Sequence, residues 1–86
     1  MERDDIRNRI RGRIAELAGA ASGDRRAFSD DVILPAAGLL DSLQILELIV
    51  WYEREFGLAL AQSEITIDNF GSVNAMIDFL LARKPA

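Results

Sequence analysis

The segment between Asp41 and Gly57 constrains the fold of this chain most, because it carries the start, the body and the end of one helix. Asp41 is a favourable N-cap residue, and Gln44 three residues later completes the pattern of a capping box. Gly57 is a typical residue just past a helix C-terminus. The sequence therefore predicts a helix over Ser42–Phe56.

Apolar residues of this helix fall on two strips. At about 100° per residue, the wider strip should face the core. It contains Ile45, Leu48, Ile49, Tyr52 and Phe56. A second strip, called here the Leu43 strip, contains Leu43, Leu46 and Val50 and lies on the other flank of Ser42. Because one helix of a small bundle rarely buries two strips, we expect the Leu43 strip to be partly exposed and to bind partners, with Glu47 and Arg54 at its rim. The alternative is one wide core face. Trp51 projects away from both strips, either as a surface contact or as a partly covered scaffold aromatic.

The N-terminal part of the chain predicts another amphipathic helix, which starts at Asp4 or Asp5 and ends before Gly19 or Gly23. Its apolar residues recur at helical spacing: Ile6, Ile10, Ile14, Leu17 and Ala18. Its arginines are expected on the solvent face: Arg7, Arg9, Arg11 and Arg13. A basic patch for RNA or a membrane is disfavoured, because acidic residues dilute these arginines and no aromatic residue is interleaved.

A long connection over residues 21–40 should pack onto the core, since loops of this length are uncommon unless they pack down or carry function. The apolar residues that can do so are Phe28, Val32, Ile33 and Leu34. The pair Asp30-Asp31 predicts a turn or a cap, because a metal site would need a third ligand nearby.

The C-terminal third of the chain predicts one short helical turn around Ser63-Glu64-Ile65 and a last helix with Ser72 as its N-cap. Three residues of this region are expected to plug the bundle: Ile65, Ile67 and Phe70. The last helix repeats apolar residues at helical spacing: Val73, Met76, Ile77, Leu80 and Leu81. No segment alternates as a β-strand would, so residues 1–86 predict one all-α domain, a small bundle of three main helices and one short turn.

The amino-acid composition limits the kinds of active site and metal site that this chain can form. The chain has no histidine and no cysteine, which removes the usual general base, thiol nucleophile, zinc ligands and disulfides. A hydrolase with Ser42 as nucleophile would lack a base to activate it. We therefore expect no enzymatic activity and no metal site.

The charge distribution limits the partners that this chain can bind, and its hydropathy indicates where the protein is located. Residues 27–86 hold three Lys or Arg and nine Asp or Glu, a net charge of −6, which argues against nucleic acid and for partners with basic surfaces. No apolar run could span a bilayer and the N-terminus does not begin a signal peptide, so we expect a cytoplasmic protein. Nothing in the sequence requires more than a monomer.

The motif Gly38-Leu39-Leu40-Asp41-Ser42-Leu43, in the middle of a small acidic helical chain, resembles the attachment motif of acyl carrier proteins. In that family the serine carries phosphopantetheine, installed from coenzyme A by a phosphopantetheinyl transferase, and the cargo is held as a thioester. The resemblance implies a four-helix acyl-carrier-type bundle, Ser42 as the attachment residue, and Asp41 and Leu43 as residues that the transferase recognises. It also implies that Ile65 faces the cargo arm.

Two departures refine this resemblance. Carriers of bacterial fatty-acid synthesis have a densely acidic second helix, whereas this chain has Gln44, Trp51, Tyr52 and Arg54 there. Peptidyl carriers usually place a glycine and a histidine or aspartate before the serine, inside a multidomain chain. We therefore expect a specialised, free-standing acyl or aminoacyl carrier, loaded by a dedicated ATP-dependent ligase and serving an acyltransferase or synthase. The alternative is an unmodified helical interaction module in which Ser42 is only a helix start.

Overall fold

The computed structural model describes residues 2–22 and 28–83, with residues 20–22 described by their backbone alone. Its elements are α1 (Arg3–Ser22), α2 (Ser42–Phe56), a 3₁₀ turn (Gln62–Glu64), α3 (Ile67–Phe70) and α4 (Val73–Arg83). These residues contain no strand, so the predicted all-α bundle of three main helices and a short one is confirmed. α1 packs against α2 and α4, and α3 packs against α4. No helix within the described ranges is long and apolar enough to cross a membrane.

α1 has the predicted buried face but continues past the first of its two predicted ends. Its apolar residues form one wall of the core: Ile6, Ile10, Ile14 and Leu17 are buried and Ala18 packs against them. Gly19 lies inside the helix, whose backbone stays helical to Ser22. Glycine inside a helix costs about 1 kcal/mol relative to alanine, and tertiary packing of the apolar face offsets that cost here.

α2 begins and ends at the predicted residues. Gly57 adopts a left-handed conformation with φ of 65°, as a C-terminal glycine cap requires. On the predicted core face, Leu48, Ile49, Tyr52 and Phe56 are buried and Ile45 is half-buried. The predicted core face of α2 is thereby confirmed.

Tyr52 ties α2 to α4 inside the core. Its hydroxyl donates a hydrogen bond to the carbonyl oxygen of Met76 at 2.8 Å. Its ring meets Phe56 and Phe70 edge to face, each at a centroid distance of 5.2 Å, a favoured aromatic geometry. Burial raises the pKa of the Tyr52 phenol.

The connection before α2 is held down by backbone hydrogen bonds. The Leu34 N–H donates to the carbonyl oxygen of Gly71 at 2.8 Å, and the Asp30 carbonyl oxygen accepts from the Asn74 N–H at 3.0 Å. As predicted, Leu34 is buried, and Phe28 and Val32 pack against the core. The same prediction for Ile33 is wrong, because Leu34 takes the core position and the adjacent side chain points outward, leaving Ile33 exposed.

Most arginines of α1 form ion pairs with residues outside this helix, whereas the sequence predicted only solvent exposure. Arg7 and Arg11 both donate to the Asp30 carboxylate, Arg11 at 2.7 Å, and Arg9 donates to Glu55 at 2.6 Å. Desolvation of Asp30 opposes its ionisation, but the hydrogen bonds and charges of Arg7 and Arg11 outweigh it, so the pKa of Asp30 lies below its ordinary value. Asp30 and Asp31 lie in a turn, as predicted, and the described residues contain no group of three or more potential metal ligands.

The region between α2 and α4 contains two short helical turns, whereas the sequence predicted one. The 3₁₀ turn falls close to the predicted position. The sequence prediction missed α3, although Thr66 is its N-cap and accepts a hydrogen bond from the Asn69 N–H at 3.2 Å. Phe70 is buried as predicted, but Ile65 and Ile67 are 37% and 62% exposed, so their predicted role as core plugs is wrong. α3 is a single turn, and only Phe70 at its end reaches the core.

Candidate functional site

The start of α2 is fixed by a closed set of hydrogen bonds around Asp41. The Asp41 carboxylate accepts from the Gln44 N–H at 2.8 Å, and the Gln44 side-chain oxygen accepts from the Asp41 N–H at 3.0 Å. The Gln44 amide nitrogen then donates to the Leu17 carbonyl oxygen on α1 at 2.9 Å. The predicted capping box is confirmed, and the third bond fixes the start of α2 against α1.

The loop before the cap brings its apolar side chains inward. Gly38 has φ of 72°, a left-handed conformation that L side chains rarely adopt. Leu39 and Leu40, which follow, are buried. The chain then emerges at Asp41 and Ser42, both exposed, so the motif changes from buried to accessible at the helix start.

Ser42 is the first residue of α2, and its hydroxyl makes no hydrogen bond within the described part of the chain. Two backbone N–H groups beside it, those of Ser42 and Leu43, also have no partner there, because the capping box satisfies the N–H of Gln44 and the Ile45 N–H donates to the Asp41 carbonyl oxygen. Such N–H groups and the positive end of the helix dipole favour an anion. The hydroxyl is therefore accessible and lies where a negatively charged substituent is tolerated.

The Leu43 strip is exposed, as predicted. Leu43, Leu46 and Val50 are 65%, 56% and 47% exposed, so the alternative of one wide core face is wrong. Asp41 and Glu47, the other predicted partner-binding residues, are exposed as well. Ser42 thus lies between the buried face of α2 and an unpartnered apolar strip.

Part of this strip belongs to a groove, called here the Arg13 groove, with a volume of about 370 Å³. The residues that line it are Arg13, Leu46, Glu47, Val50, Trp51 and Arg54. Asp41 and Leu43 are not among its lining residues. Trp51 is half-buried and meets Phe56 edge to face at 5.8 Å, so of its two predicted roles the partly covered aromatic is confirmed. Sequence reasoning missed the groove because Arg13 comes from another helix.

A second groove, called here the Ile45 groove, has a volume of about 130 Å³ and runs between α2 and α3. Ile45 and Ile49 lie three and seven residues after Ser42, on the same side of α2. They line this groove together with Pro35, Ile65, Thr66, Ile67, Phe70 and Gly71. Ile65 was predicted near the site only through the family resemblance, and Ile67 was assigned to the core. The sequence indicated this groove only through the apolar residues Ile65 and Ile67, which the single turn of α3 leaves exposed.

Residues 8–80 match a family model described as a phosphopantetheine attachment site. Comparisons with curated proteins and with solved structures give no match. The matched range covers most of the chain and includes all of α2.

Proposed function

Because this chain belongs to the phosphopantetheine attachment-site family, it is a carrier protein with phosphopantetheine as its covalent cofactor, and we propose that Ser42 is the attachment residue. The observation that carries this proposal is the exposed hydroxyl of Ser42, free of hydrogen bonds within the described residues, at the start of the long helix α2. The motif around it, Asp41-Ser42-Leu43, is the one that resembles the family's attachment motif.

The other serines with described side chains are less suited to attachment. Ser72 is buried, and its hydroxyl accepts a hydrogen bond from the Ala75 N–H at 3.1 Å as the cap of α4. Ser29 and Ser63 are exposed, but Ser29 lies in the long loop and Ser63 in the 3₁₀ turn. Neither precedes a long helix whose N-terminal N–H groups could stabilise a phosphodiester.

The residues around Ser42 fit a phosphodiester. The N–H groups of Ser42 and Leu43 are the donors that remain at this helix start, and the helix dipole adds a favourable field. The capping box and the bond from Gln44 to Leu17 hold the backbone of the helix start, and with it the position of Ser42, against α1. When bound, the phosphopantetheine arm supplies a thiol that holds the cargo as a thioester. The protein's own part is to position this arm and to present it to successive enzymes at high effective concentration.

We further propose that the cargo is a specialised acyl or aminoacyl group, loaded by a dedicated ATP-dependent ligase and used by an acyltransferase or synthase. Support comes from α2, where Gln44, Trp51 and Arg54 stand in place of the dense acidic residues of fatty-acid carriers. The phosphopantetheinyl transferase and these enzymes would contact Asp41, Glu47 and the Leu43 strip, which are exposed beside Ser42.

Intact mass spectrometry tests the attachment residue. In the transfer, the Ser42 oxygen attacks the β-phosphorus of coenzyme A, the pyrophosphate bond breaks, and 3′,5′-ADP leaves while the serine proton passes to solvent. After incubation with coenzyme A and a broad-specificity transferase, the wild-type chain should gain the mass of one phosphopantetheine. Ser42→Ala should gain none, whereas the matched control Ser63→Ala should be modified as the wild type is. Modification of Ser42→Ala would assign the arm to another serine.

The alternative function, an unmodified interaction module, gives a different result in the same experiment. Its support is the exposed Leu43 strip, which could bind a partner helix without any modification of Ser42. A wild-type chain that stays unmodified, under conditions in which the transferase modifies a known carrier, would favour the module.

A further inference from the structure

Two arginines of this acidic protein differ from the others in their partners. Of the seven arginines in the described ranges, five bond to a carboxylate within 2.9 Å. The exceptions are Arg13, whose nearest carboxylate is Glu16 at 3.7 Å, and Arg54, for which the described residues provide no ion pair. Both exceptions line the Arg13 groove. The two guanidinium groups with unused capacity therefore lie at one place on the surface.

Arg13 adds a second, independent observation. Its Nε atom is buried and has no hydrogen-bond partner. A buried donor without a partner costs about 1–3 kcal/mol, so the described part of the chain leaves the hydrogen-bonding capacity of the Arg13 guanidinium partly unused. Among the described residues it is the one buried side-chain nitrogen or oxygen left in this state.

The groove also offers an apolar surface beside these charges. Leu46 and Val50 contribute the exposed edge of the Leu43 strip, and Trp51 contributes a half-buried indole. Among the residues that line the groove, the charged groups are two guanidinium groups and the carboxylate of Glu47, and the Glu16 carboxylate lies 3.7 Å from Arg13 outside the lining. The lining itself therefore carries a net positive charge, although the protein has a net charge of −4. Such a surface complements a ligand that combines a carboxylate with a bulky apolar group.

We propose that the Arg13 groove binds an acidic side chain, next to a bulky apolar one, on the docking element of a partner enzyme. This inference rests on the proposed carrier function, because it assigns the groove to an enzyme that acts on the arm of Ser42. The groove is continuous with the Leu43 strip, and Arg54 lies about 18 Å beyond Ser42 along α2. The expectation from the sequence was a partner with a basic surface, and the groove instead requires a carboxylate at this point of contact.

A pair of capped dipeptides tests the proposal. The probes are acetyl-Leu-Glu-amide and acetyl-Leu-Gln-amide, titrated into the full 15N-labelled chain and followed by the backbone signals of α2 and the indole signal of Trp51. The glutamate probe should bind at the groove about fivefold more tightly than the glutamine probe, as expected for an exposed charge-assisted contact. Equal affinity of the two probes, or shifts confined to residues outside the groove, would overturn the proposal.

Substitutions locate the contact. Arg54→Gln should abolish the preference for the glutamate probe, and Glu47→Gln should increase it, because it removes the one carboxylate of the groove. Arg3→Gln makes the same charge change as Arg54→Gln outside the groove, where Arg3 pairs with Asp78, and should leave the preference unchanged. Because Arg54 and Glu47 are exposed, these variants should fold. Loss of the preference in Arg3→Gln would show that only net charge matters and would contradict a specific site.

Two further measurements separate this proposal from its alternatives. Sodium acetate that shifts the same signals as strongly as the glutamate probe would assign the groove to small anions and reject docking. The titration reads binding whether or not Ser42 carries phosphopantetheine, so it is repeated on the apo and modified chains. If the glutamate probe does not bind but the chain is modified normally, only the proposal for the Arg13 groove is rejected. If the chain gains no phosphopantetheine, the proposal that Ser42 is the attachment residue is rejected.

Discussion

The side-chain amide of Gln44 on α2 donates a hydrogen bond to the carbonyl oxygen of Leu17 on α1, at 2.9 Å. The same amide accepts from the Asp41 N–H through its oxygen. One side chain therefore both closes the cap of α2 and fixes the helix start that carries Ser42 to the neighbouring helix.

Replacement of Gln44 by alanine should destabilise the protein. It removes the bonds to Asp41 and Leu17, and a net loss of about 1 kcal/mol in the free energy of unfolding is expected after the better helix propensity of alanine is counted. Urea unfolding measures it. The control Gln62→Ala changes an exposed glutamine and should lie close to wild type. Equal effects of the two substitutions would contradict the role of Gln44.

Val50→Glu should leave the fold intact but impair delivery to partner enzymes. Val50 is exposed, so the free energy of unfolding should change by no more than about 0.5 kcal/mol. Leu48→Ala, two residues earlier and buried, should cost about 3 kcal/mol. Thermal unfolding measures stability, and the kcat/KM of the transferase with each variant as substrate measures docking. A collapse of Val50→Glu in thermal unfolding would show that this strip belongs to the core.

Acidification should weaken the ion pairs of Asp30 with Arg7 and Arg11 and so lower the free energy of unfolding. Because its pKa is lowered on folding, Asp30 contributes stability that is fully present above its ordinary value of 3.8 and is lost as the pH falls through the lower folded-state value. Asp30→Asn should therefore be less stable than wild type at pH 7, and the difference should shrink below about pH 4. Urea unfolding as a function of pH measures it. Asp68→Asn, which removes an exposed carboxylate, is the charge-matched control, and an equal convergence in that variant would contradict a specific role of Asp30.

Gly71→Ala should be clearly destabilising, whereas Gly12→Ala should not. A Cβ atom at Gly71 would stand 2.5 Å from the Ile67 carbonyl oxygen, and the forced shift between α3 and α4 should cost about 1–3 kcal/mol. At Gly12 a Cβ meets nothing within 4 Å, and alanine there should stabilise α1 by up to about 1 kcal/mol. Thermal unfolding of both variants checks the contrast, and a tolerated Gly71→Ala would show that the backbone can open at this turn.

Local signals were sufficient for much of the fold. The bounds of α2 were predictable because its cap and its C-terminal glycine act on residues a few positions away. The exposure of the Leu43 strip followed from helical periodicity, since the wider strip already fills the contact with the other helices.

Features that depend on distant residues were not predictable in this way. Asp30 was assigned to a turn, but its pairing with Arg7 and Arg11 depends on how the long loop folds back over α1. Ile67 was assigned to the core because it is apolar, and its exposure follows from α3 being one turn long. The Arg13 groove depends on the packing of α1 against α2. The choice of Ser42 rested on a local motif, whereas the two grooves beside α2 emerged only from the tertiary arrangement.

Trp51 is the one tryptophan of the chain and lies half-buried in the wall of the Arg13 groove. Its fluorescence therefore comes from a single known position, without an introduced label. A ligand that enters the groove should change the emission of this indole, while events confined to the Ile45 groove on the other side of α2 should not. The intrinsic fluorescence of Trp51 should therefore distinguish contact with a partner enzyme from movement of the cargo.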